Sequence, residues 1–99
     1  MENTVRIGIV GCGMVARYHA KAIADTPNAM LVGACSKSLS STRTFCSEFP
    51  QVRSYACYDE MLVEQDINTV AICSPTGDHY GQAKRALEAH KHVIVEKPI

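Results

Sequence analysis

Five short apolar runs alternate with stretches of helical periodicity along these 99 residues. The runs show little polar alternation, which is typical of strands that are covered on both faces of a sheet. Parallel strands joined by crossover helices have this order of elements. We therefore predict an α/β fold with a doubly wound parallel sheet of the Rossmann type and the strand order 3-2-1-4-5. The predicted strands cover residues 5–10, 29–35, 52–56, 68–73 and 92–95, and the predicted helices cover residues 14–24, 40–49, 58–65 and 78–90.

The first and last predicted helices each have a stripe of residues at helical spacing. In the first helix the stripe consists of Val15, His19, Ala22 and Ile23. In the last helix it consists of Ala83, Ala86, Leu87 and His90, and we expect these four side chains to face the sheet.

Length and charge narrow the class of protein. The chain is long enough for one domain, which we assign to residues 1–99. Ten basic and ten acidic residues cancel, so we expect no charge-driven binding to nucleic acid or to a membrane surface. The N-terminal apolar run is too short for a signal peptide or a membrane span, and no basic region precedes it. We therefore expect a cytoplasmic protein.

The five cysteines are an odd number at wide spacing, with no CxxC pair among them. This pattern argues against a disulfide framework and against a bound metal. We interpret them mainly as small, buried apolar residues. An alternative is that Cys12, Cys35 and Cys73, which end or follow predicted strands, line a ligand crevice and react with alkylating reagents.

A glycine motif follows the first predicted strand. Residues 11–16 read GCGMVA, which is G-x-G-x-x-A at the point where a strand passes into a helix. Gly11 would form the tight turn, Gly13 would let a pyrophosphate approach the backbone, and Ala16 would let the helix pack closely on the sheet. The N–H groups at the start of the helix favour an anion. The residues we expect to contact a dinucleotide here are Gly11, Cys12, Gly13, Met14 and Val15. The alternative is a tight turn without a ligand.

The end of the second strand bears on the choice of cofactor. An NAD-binding domain usually carries Asp or Glu about 20 residues after the glycines, where it holds the ribose hydroxyls. This chain reads GACSKS over residues 33–38, with Ser36 in the place of the acid and Lys37 after it. A carboxylate would repel a 2′-phosphate, whereas a hydroxyl and an ammonium would attract it. We therefore predict NADP as the cofactor, with NAD as the alternative. Arg43 is a candidate for a second cation, but an ordinary exposed surface charge is the better explanation of it, and the same explanation is an alternative of about equal weight for Lys37.

The turn after the fourth strand should lie at the same edge of the sheet, because ligands bind beyond the carboxyl ends of parallel strands. It reads SPTGDH over residues 74–79, with turn residues Pro75 and Gly77. Thr76 or Asp78 is a candidate cap for the helix that follows. His79 would lie in the first turn of that helix, although a lone histidine is more often structural.

The chain closes with EKP directly after the fifth strand. Lys97 would lie at the mouth of the crevice, where an ammonium can hold a substrate hydroxyl or transfer a proton. Glu96 is placed to orient Lys97 or to pair with it. Pro98 fixes the backbone after Lys97, and proline cannot extend a central strand. The alternative is a strand that simply leaves the sheet into solvent.

Three segments in this order, GCGMVARYHAKAI, AICSPTGDH and HVIVEKPI, resemble the N-terminal domain of the Gfo/Idh/MocA oxidoreductases, a family named for glucose–fructose oxidoreductase and inositol 2-dehydrogenase. The resemblance covers essentially the whole chain. It implies hydride transfer between a nicotinamide cofactor and a carbinol carbon of a sugar, an inositol or a related alcohol. It implies that Lys97 contacts substrate and takes part in proton transfer. It implies cofactor contacts from Ser74, Pro75, Thr76, His79, Glu96 and Pro98.

Members of that family continue into a second α/β domain, which supplies most of the substrate pocket and the usual oligomer interface. We therefore expect residues 1–99 to be a domain truncated at its C-terminal end, inactive alone, with a homo-oligomer formed through the further domain. Two other functions stay open. One is a non-catalytic module that binds or senses a dinucleotide and needs a partner. The other is a Rossmann-like domain for a different nucleotide-bearing ligand.

Overall fold

The computed structural model describes residues 4–95, apart from the side chain of Thr76. The strands of this part of the chain are β1 (Val5–Val10), β2 (Ala29–Cys35), β3 (Arg53–Ser54), β4 (Thr69–Ile72) and β5 (His92–Val95). The α-helices are α1 (Met14–Ala24), α2 (Leu39–Glu48), α3 (Tyr58–Leu62) and α4 (His79–Glu88), with a 3₁₀ turn over Thr76–Asp78 before α4. The predicted elements are all present, although β3 and α3 are shorter than predicted.

The five strands form one parallel sheet in the order β3-β2-β1-β4-β5, which confirms the predicted topology. β1 is central, and its last residue, Val10, pairs with Cys35 of β2 and with Ile72 of β4. The carboxyl ends of three strands therefore lie side by side. The turns that follow these strands, which begin at Gly11, Ser36 and Cys73, meet at one edge of the sheet.

The sheet is covered on both faces, which explains why its strands read as continuous apolar runs. On one face α1 and α2 pack on β1 and β2, with Phe45 fully buried at the centre. On the other face α3 packs on β2, and α4 packs on β4 and β5, with Met61 fully buried. Each such side chain contributes about 1.5–3 kcal/mol through burial. Two apolar layers of this kind hold the strand ends, and so the site, in place.

The helix faces differ in part from the prediction. In α1 the buried residues are Ala16, Ala20 and Ile23, while Ala22 is exposed. The buried stripe is shifted because small alanines let the helix approach the sheet most closely along the line that starts at Ala16. In α4 only Ala86 is buried, and Leu87 is 61% exposed.

The end of α4 explains why His90 does not face the sheet. α4 ends at Glu88, and His90 adopts a left-handed backbone with φ 63°. Its N–H donates to the carbonyl of Leu87, and the N–H of Lys91 donates to the carbonyl of Ala86. These bonds close the helix in the manner of a C-terminal αL cap. His90 is therefore exposed at the helix end, outside the helical stripe.

Candidate functional site

Gly11 joins β1 to α1 in a backbone conformation that excludes other residues. Its φ is +95°, and a Cβ atom there would stand 2.6 Å from the nitrogen of Ser74 and 2.7 Å from the Cα of Ser74. Its own N–H donates to the carbonyl of Cys35 over 2.8 Å. The glycine turn is thus wedged between the ends of β2 and β4. This is the tight turn that the motif predicts.

Gly13 faces open space at the start of α1. It is the N-cap residue of α1, and a Cβ atom there would meet nothing within 4 Å. A group the size of a phosphate can therefore approach the backbone N–H groups of the first helical turn, where the helix dipole favours negative charge. Ala16 is fully buried against the sheet, as the motif predicts, while Met14 is 72% exposed and Val15 is half-buried. The residues present fit a dinucleotide pyrophosphate.

Arg17 braces the glycine turn, which the sequence alone did not indicate. Its Nη1 donates to the carbonyls of Cys12 and Gly13 over 3.1 and 3.3 Å. Its Nε and Nη2 donate to the two carboxylate oxygens of Glu48 in α2 over 2.8 and 2.7 Å. The bond from Arg17 lowers the pKa of Glu48. This fork ties the turn to α2, and no local signal could have identified Glu48 as the partner.

The thiols of Cys12 and Cys35 are packed into the core rather than exposed in the crevice. The Sγ of Cys12 lies 3.5 Å from the carbonyl of Cys35 and 3.9 Å from the hydroxyl of Thr42. Cys35 is only 1% exposed. Burial raises the pKa of Cys12, and it raises the pKa of Cys35 to about 12. The interpretation of these two as packed apolar residues is the one that their environment favours.

The end of β2 presents one hydroxyl and one ammonium. The hydroxyl of Ser36 donates to the carbonyl of Ser38 over 2.8 Å and lies 2.7 Å from the hydroxyl of Thr42. Ser36 is therefore tied to the start of α2, whose N-cap is Ser38. The side chain of Lys37 is 81% exposed, and its Nζ lies 3.0 Å from the carboxylate of Asp78. Arg43 is exposed on α2.

The turn after β4 is stabilised from within. The hydroxyl of Ser74 donates to the side-chain carbonyl of Gln82, and Nε2 of His79 donates to the carbonyl of Ser74 over 2.6 Å. Through this bond the ring of His79 stabilises the turn. A cofactor contact from His79 remains a prediction. Asp78 is the N-cap residue of α4 but makes no side-chain capping bond. Of the two candidate caps, Thr76 and Asp78, it is Asp78 that occupies the N-cap position, and its carboxylate is paired with Lys37 rather than with a backbone N–H of α4.

A polar cavity of about 240 Å³ lies between the first turns of α1 and α2. Its lining consists of Cys12, Arg17, Ser40, Ser41 and Thr44. Three hydroxyls and a guanidinium offer hydrogen-bond donors to a polar or anionic group.

The structure brings most of the predicted site residues to one edge of the sheet. The glycine turn ends β1, Ser36 and Lys37 follow β2, and Ser74, Pro75 and His79 follow β4. The backbone of Thr76 begins the 3₁₀ turn at this edge. Glu96, Lys97 and Pro98 lie outside the described residues. Within residues 4–95, no group of three or more His, Cys, Asp or Glu could hold a metal ion, and no helix is long and apolar enough to cross a membrane.

A doubly wound sheet with an open glycine turn at its topological switch point defines a dinucleotide-binding domain. Comparison with protein families agrees with this class. The family described as "Oxidoreductase family, NAD-binding Rossmann fold" matches residues 5–99. The chain belongs to this family, the Gfo/Idh/MocA oxidoreductases, as its three motifs predicted.

Individual relatives differ in substrate and in cofactor. Glucose-6-phosphate 3-dehydrogenase of Bacillus subtilis is 35% identical over 95% of this chain and 26% of its own. The crystal structure of scyllo-inositol dehydrogenase from Lactobacillus casei, with NAD(H) and scyllo-inositol, is 38% identical over 96% of this chain and 28% of its own, with TM-score 0.85. Biliverdin reductase from Synechocystis, with biliverdin and NADP⁺, is 32% identical over 95% of this chain and 29% of its own, with TM-score 0.86. The chain thus spans less than a third of the length of these relatives.

Proposed function

We propose that this domain binds NADP in preference to NAD, and that it is the cofactor domain of an oxidoreductase acting on a sugar, an inositol or a related alcohol. The observation that carries the cofactor preference is the end of β2. Lys37 extends there with 81% of its side chain exposed, and Ser36 stands where NAD-binding domains usually carry an acid.

The charge at the end of β2 distinguishes the two cofactors, because NADP differs from NAD only in its 2′-phosphate. An acid at the end of β2 binds ribose hydroxyls and repels that phosphate. Lys37 attracts it, and the hydroxyls of Ser40 and Ser41 in the neighbouring cavity add donors. Family membership does not decide the matter, since relatives were solved with NADP⁺ and with NAD(H). The local charge is therefore the argument for NADP.

Titration of the purified chain with NADPH and with NADH, followed by fluorescence, tests this proposal. We expect NADPH to bind about tenfold more tightly, which corresponds to about 1.4 kcal/mol. Circular dichroism establishes that the protein is folded. Gly13→Val fills the open space at the start of α1 and should abolish binding of both cofactors without unfolding the domain. Equal affinities, or tighter binding of NADH, would overturn the NADP preference.

The proposed reaction is hydride transfer, which the nicotinamide supplies when the cofactor is bound. The names of relatives that are glucose-6-phosphate, glucoside and inositol dehydrogenases support a sugar or a polyol as the substrate. We assign proton transfer at the substrate hydroxyl to Lys97, with Glu96 and Pro98 shaping the nicotinamide pocket. These three assignments rest on the sequence motif.

Lys97→Met tests the catalytic assignment, because it removes the ammonium and keeps the apolar stem. In a preparation that oxidises an inositol or a hexose, we expect turnover to fall at least a hundredfold, as is usual for loss of a proton-transfer group. Cofactor affinity should stay within about twofold of the wild type. Retained turnover would exclude Lys97 from the chemistry. A cytoplasmic location and a homo-oligomer stay predictions of the sequence.

A further inference from the structure

One ion pair joins the two walls of the cofactor crevice. Lys37 follows the carboxyl end of β2, and Asp78 follows the carboxyl end of β4 and precedes α4. Their charged atoms lie 3.0 Å apart. β2 and β4 are the two neighbours of β1 in the sheet, so the pair crosses the carboxyl end of β1.

The Lys37–Asp78 pair spans the distance between β2 and β4, which form the two walls of the crevice. Neighbouring strands lie about 4.8 Å apart, so β2 and β4 are separated by about 10 Å. A lysine side chain is long enough to cover most of that distance. The glycine turn starts on the strand between them, and dinucleotides bind at this switch point. The Lys37–Asp78 pair therefore lies where the adenosine end of a cofactor must be accommodated.

We propose that Asp78 is a specificity-determining residue, which opposes the 2′-phosphate of NADP from the wall of the crevice opposite to Lys37. The usual acid is absent from the end of β2, where Ser36 stands. Asp78 supplies a carboxylate to the same crevice from the end of β4. It competes with the 2′-phosphate for the ammonium of Lys37, and its own charge repels that phosphate. The cofactor preference is thus a balance between these two residues. The inference rests on the proposed binding of a nicotinamide dinucleotide.

Exposure sets the size of the effect. The side chains of Lys37 and Asp78 are 81% and 30% exposed, so water and salt screen their charges. Exposed ion pairs contribute little to affinity, so we expect only a few-fold change from the loss of one. The hydroxyl of Ser36 is already bonded to Ser38 and Thr42. Lys37 therefore supplies the charge that a 2′-phosphate would meet at the end of β2. A modest shift in the charge around Lys37 should therefore be visible in the choice of cofactor.

The test compares the affinities of NADPH and NADH for the wild type, Asp78→Asn and Lys37→Met. Asp78→Asn should raise the NADPH-to-NADH affinity ratio about threefold, and Lys37→Met should lower it by about the same factor or more. The gain in Asp78→Asn should shrink when the salt concentration is raised. Asp25→Asn and Lys84→Met are the controls, because they remove the same charges at the end of α1 and on the exposed face of α4.

The outcomes separate the two proposals. If Asp78→Asn leaves the ratio within about 1.5-fold of the wild type, or lowers it, the role of Asp78 is overturned while an NADPH-preferring wild type still supports the proposed function. If the wild type binds both cofactors equally and Asp78→Asn raises the ratio, the role of Asp78 holds and the wild-type preference for NADP fails. If a folded wild type binds neither cofactor, both are overturned. A shift of the same size in the affinity ratio of Asp25→Asn would also overturn the role of Asp78, because the effect would then depend on net charge and not on position.

Discussion

Gly11 and Ser74 lie in direct backbone contact across the ends of β1 and β4. A Cβ atom at Gly11 would stand 2.6 Å from the nitrogen of Ser74, closer than real Cβ atoms approach a neighbour. The backbone of Ser74 cannot yield easily, because its side chain bonds to Gln82 and its carbonyl to His79. The glycine turn and the β4 turn are therefore one packed unit. Either can be disturbed through the other.

This contact predicts that Gly11→Ala destabilises the fold. The methyl group combines a left-handed backbone, at φ +95°, with a clash against main-chain atoms. We expect a loss of about 3 kcal/mol in the free energy of unfolding, measured by urea denaturation. Gly13→Ala is the matched control, because its Cβ would meet open space, and it should cost less than about 1 kcal/mol. Equal losses in both variants would contradict this account of the turn.

The bond between Arg17 and Glu48 predicts a pH dependence of stability. The ordinary pKa of Glu48 is 4.5, and Arg17 lowers it in the folded state. A carboxyl whose pKa is depressed by folding stabilises the protein above its unfolded-state pKa, and this contribution is lost as pH falls through the folded-state pKa. We expect Glu48→Gln to be less stable than the wild type at neutral pH.

That difference should shrink as the pH falls below 4.5. Urea midpoints measured over a pH series give the comparison. Glu88→Gln, at the exposed end of α4, serves as the control and should show no such convergence. A difference between Glu48→Gln and the wild type that stays constant with pH would mean that the pair has no electrostatic role.

The environments of the cysteines predict their order of reaction. Cys57 is exposed, whereas Cys12 and Cys35 are buried. Because burial raises the pKa of Cys35 to about 12, almost none of it is thiolate near neutral pH. We expect iodoacetamide to label Cys57 first in the native protein, and to label Cys12 and Cys35 only after unfolding, as read by peptide mass mapping. Cys57→Ser should remove the fast phase. Rapid native labelling of Cys12 that cofactor blocks would instead restore the alternative of crevice thiols.

The contacts of Lys91 predict that its ammonium group stabilises the fold at a point away from the candidate functional site. Its Nζ donates to the carbonyls of Glu64 and Ile67 over 2.7 and 2.6 Å, which fastens the loop before β4. Lys91→Met would leave both carbonyls without this donor, and we expect a loss of about 2 kcal/mol in the free energy of unfolding. Lys84→Met, on the exposed face of α4, should change it by less than about 0.5 kcal/mol. Similar effects of the two substitutions would argue against the loop contact.

Much of the fold could be predicted from local patterns. Uninterrupted apolar runs indicated buried parallel strands, and GCGMVA between a strand and a helix indicated the turn that Gly11 and Gly13 form. The helix faces were harder. The stripe on α1 was misplaced around Ala22, and Leu87 proved exposed on α4. Periodicity gives a stripe, but the line of closest approach depends on how the helix lies on the sheet.

The sequence by itself determined the order of elements, the glycine turn and the replacement of an acid by Ser36 at the end of β2, because these depend on residues that are neighbours in the chain. Only the tertiary structure decided the partners of the charged groups. Local chemistry placed Asp78 among the candidate helix caps, and only the fold brings its carboxylate to Lys37. The pairing of Arg17 with Glu48 likewise depends on the tertiary structure. An ion pair between distant residues exists only once the sheet has placed β2 and β4 on either side of β1, and no single stretch of sequence contains that arrangement.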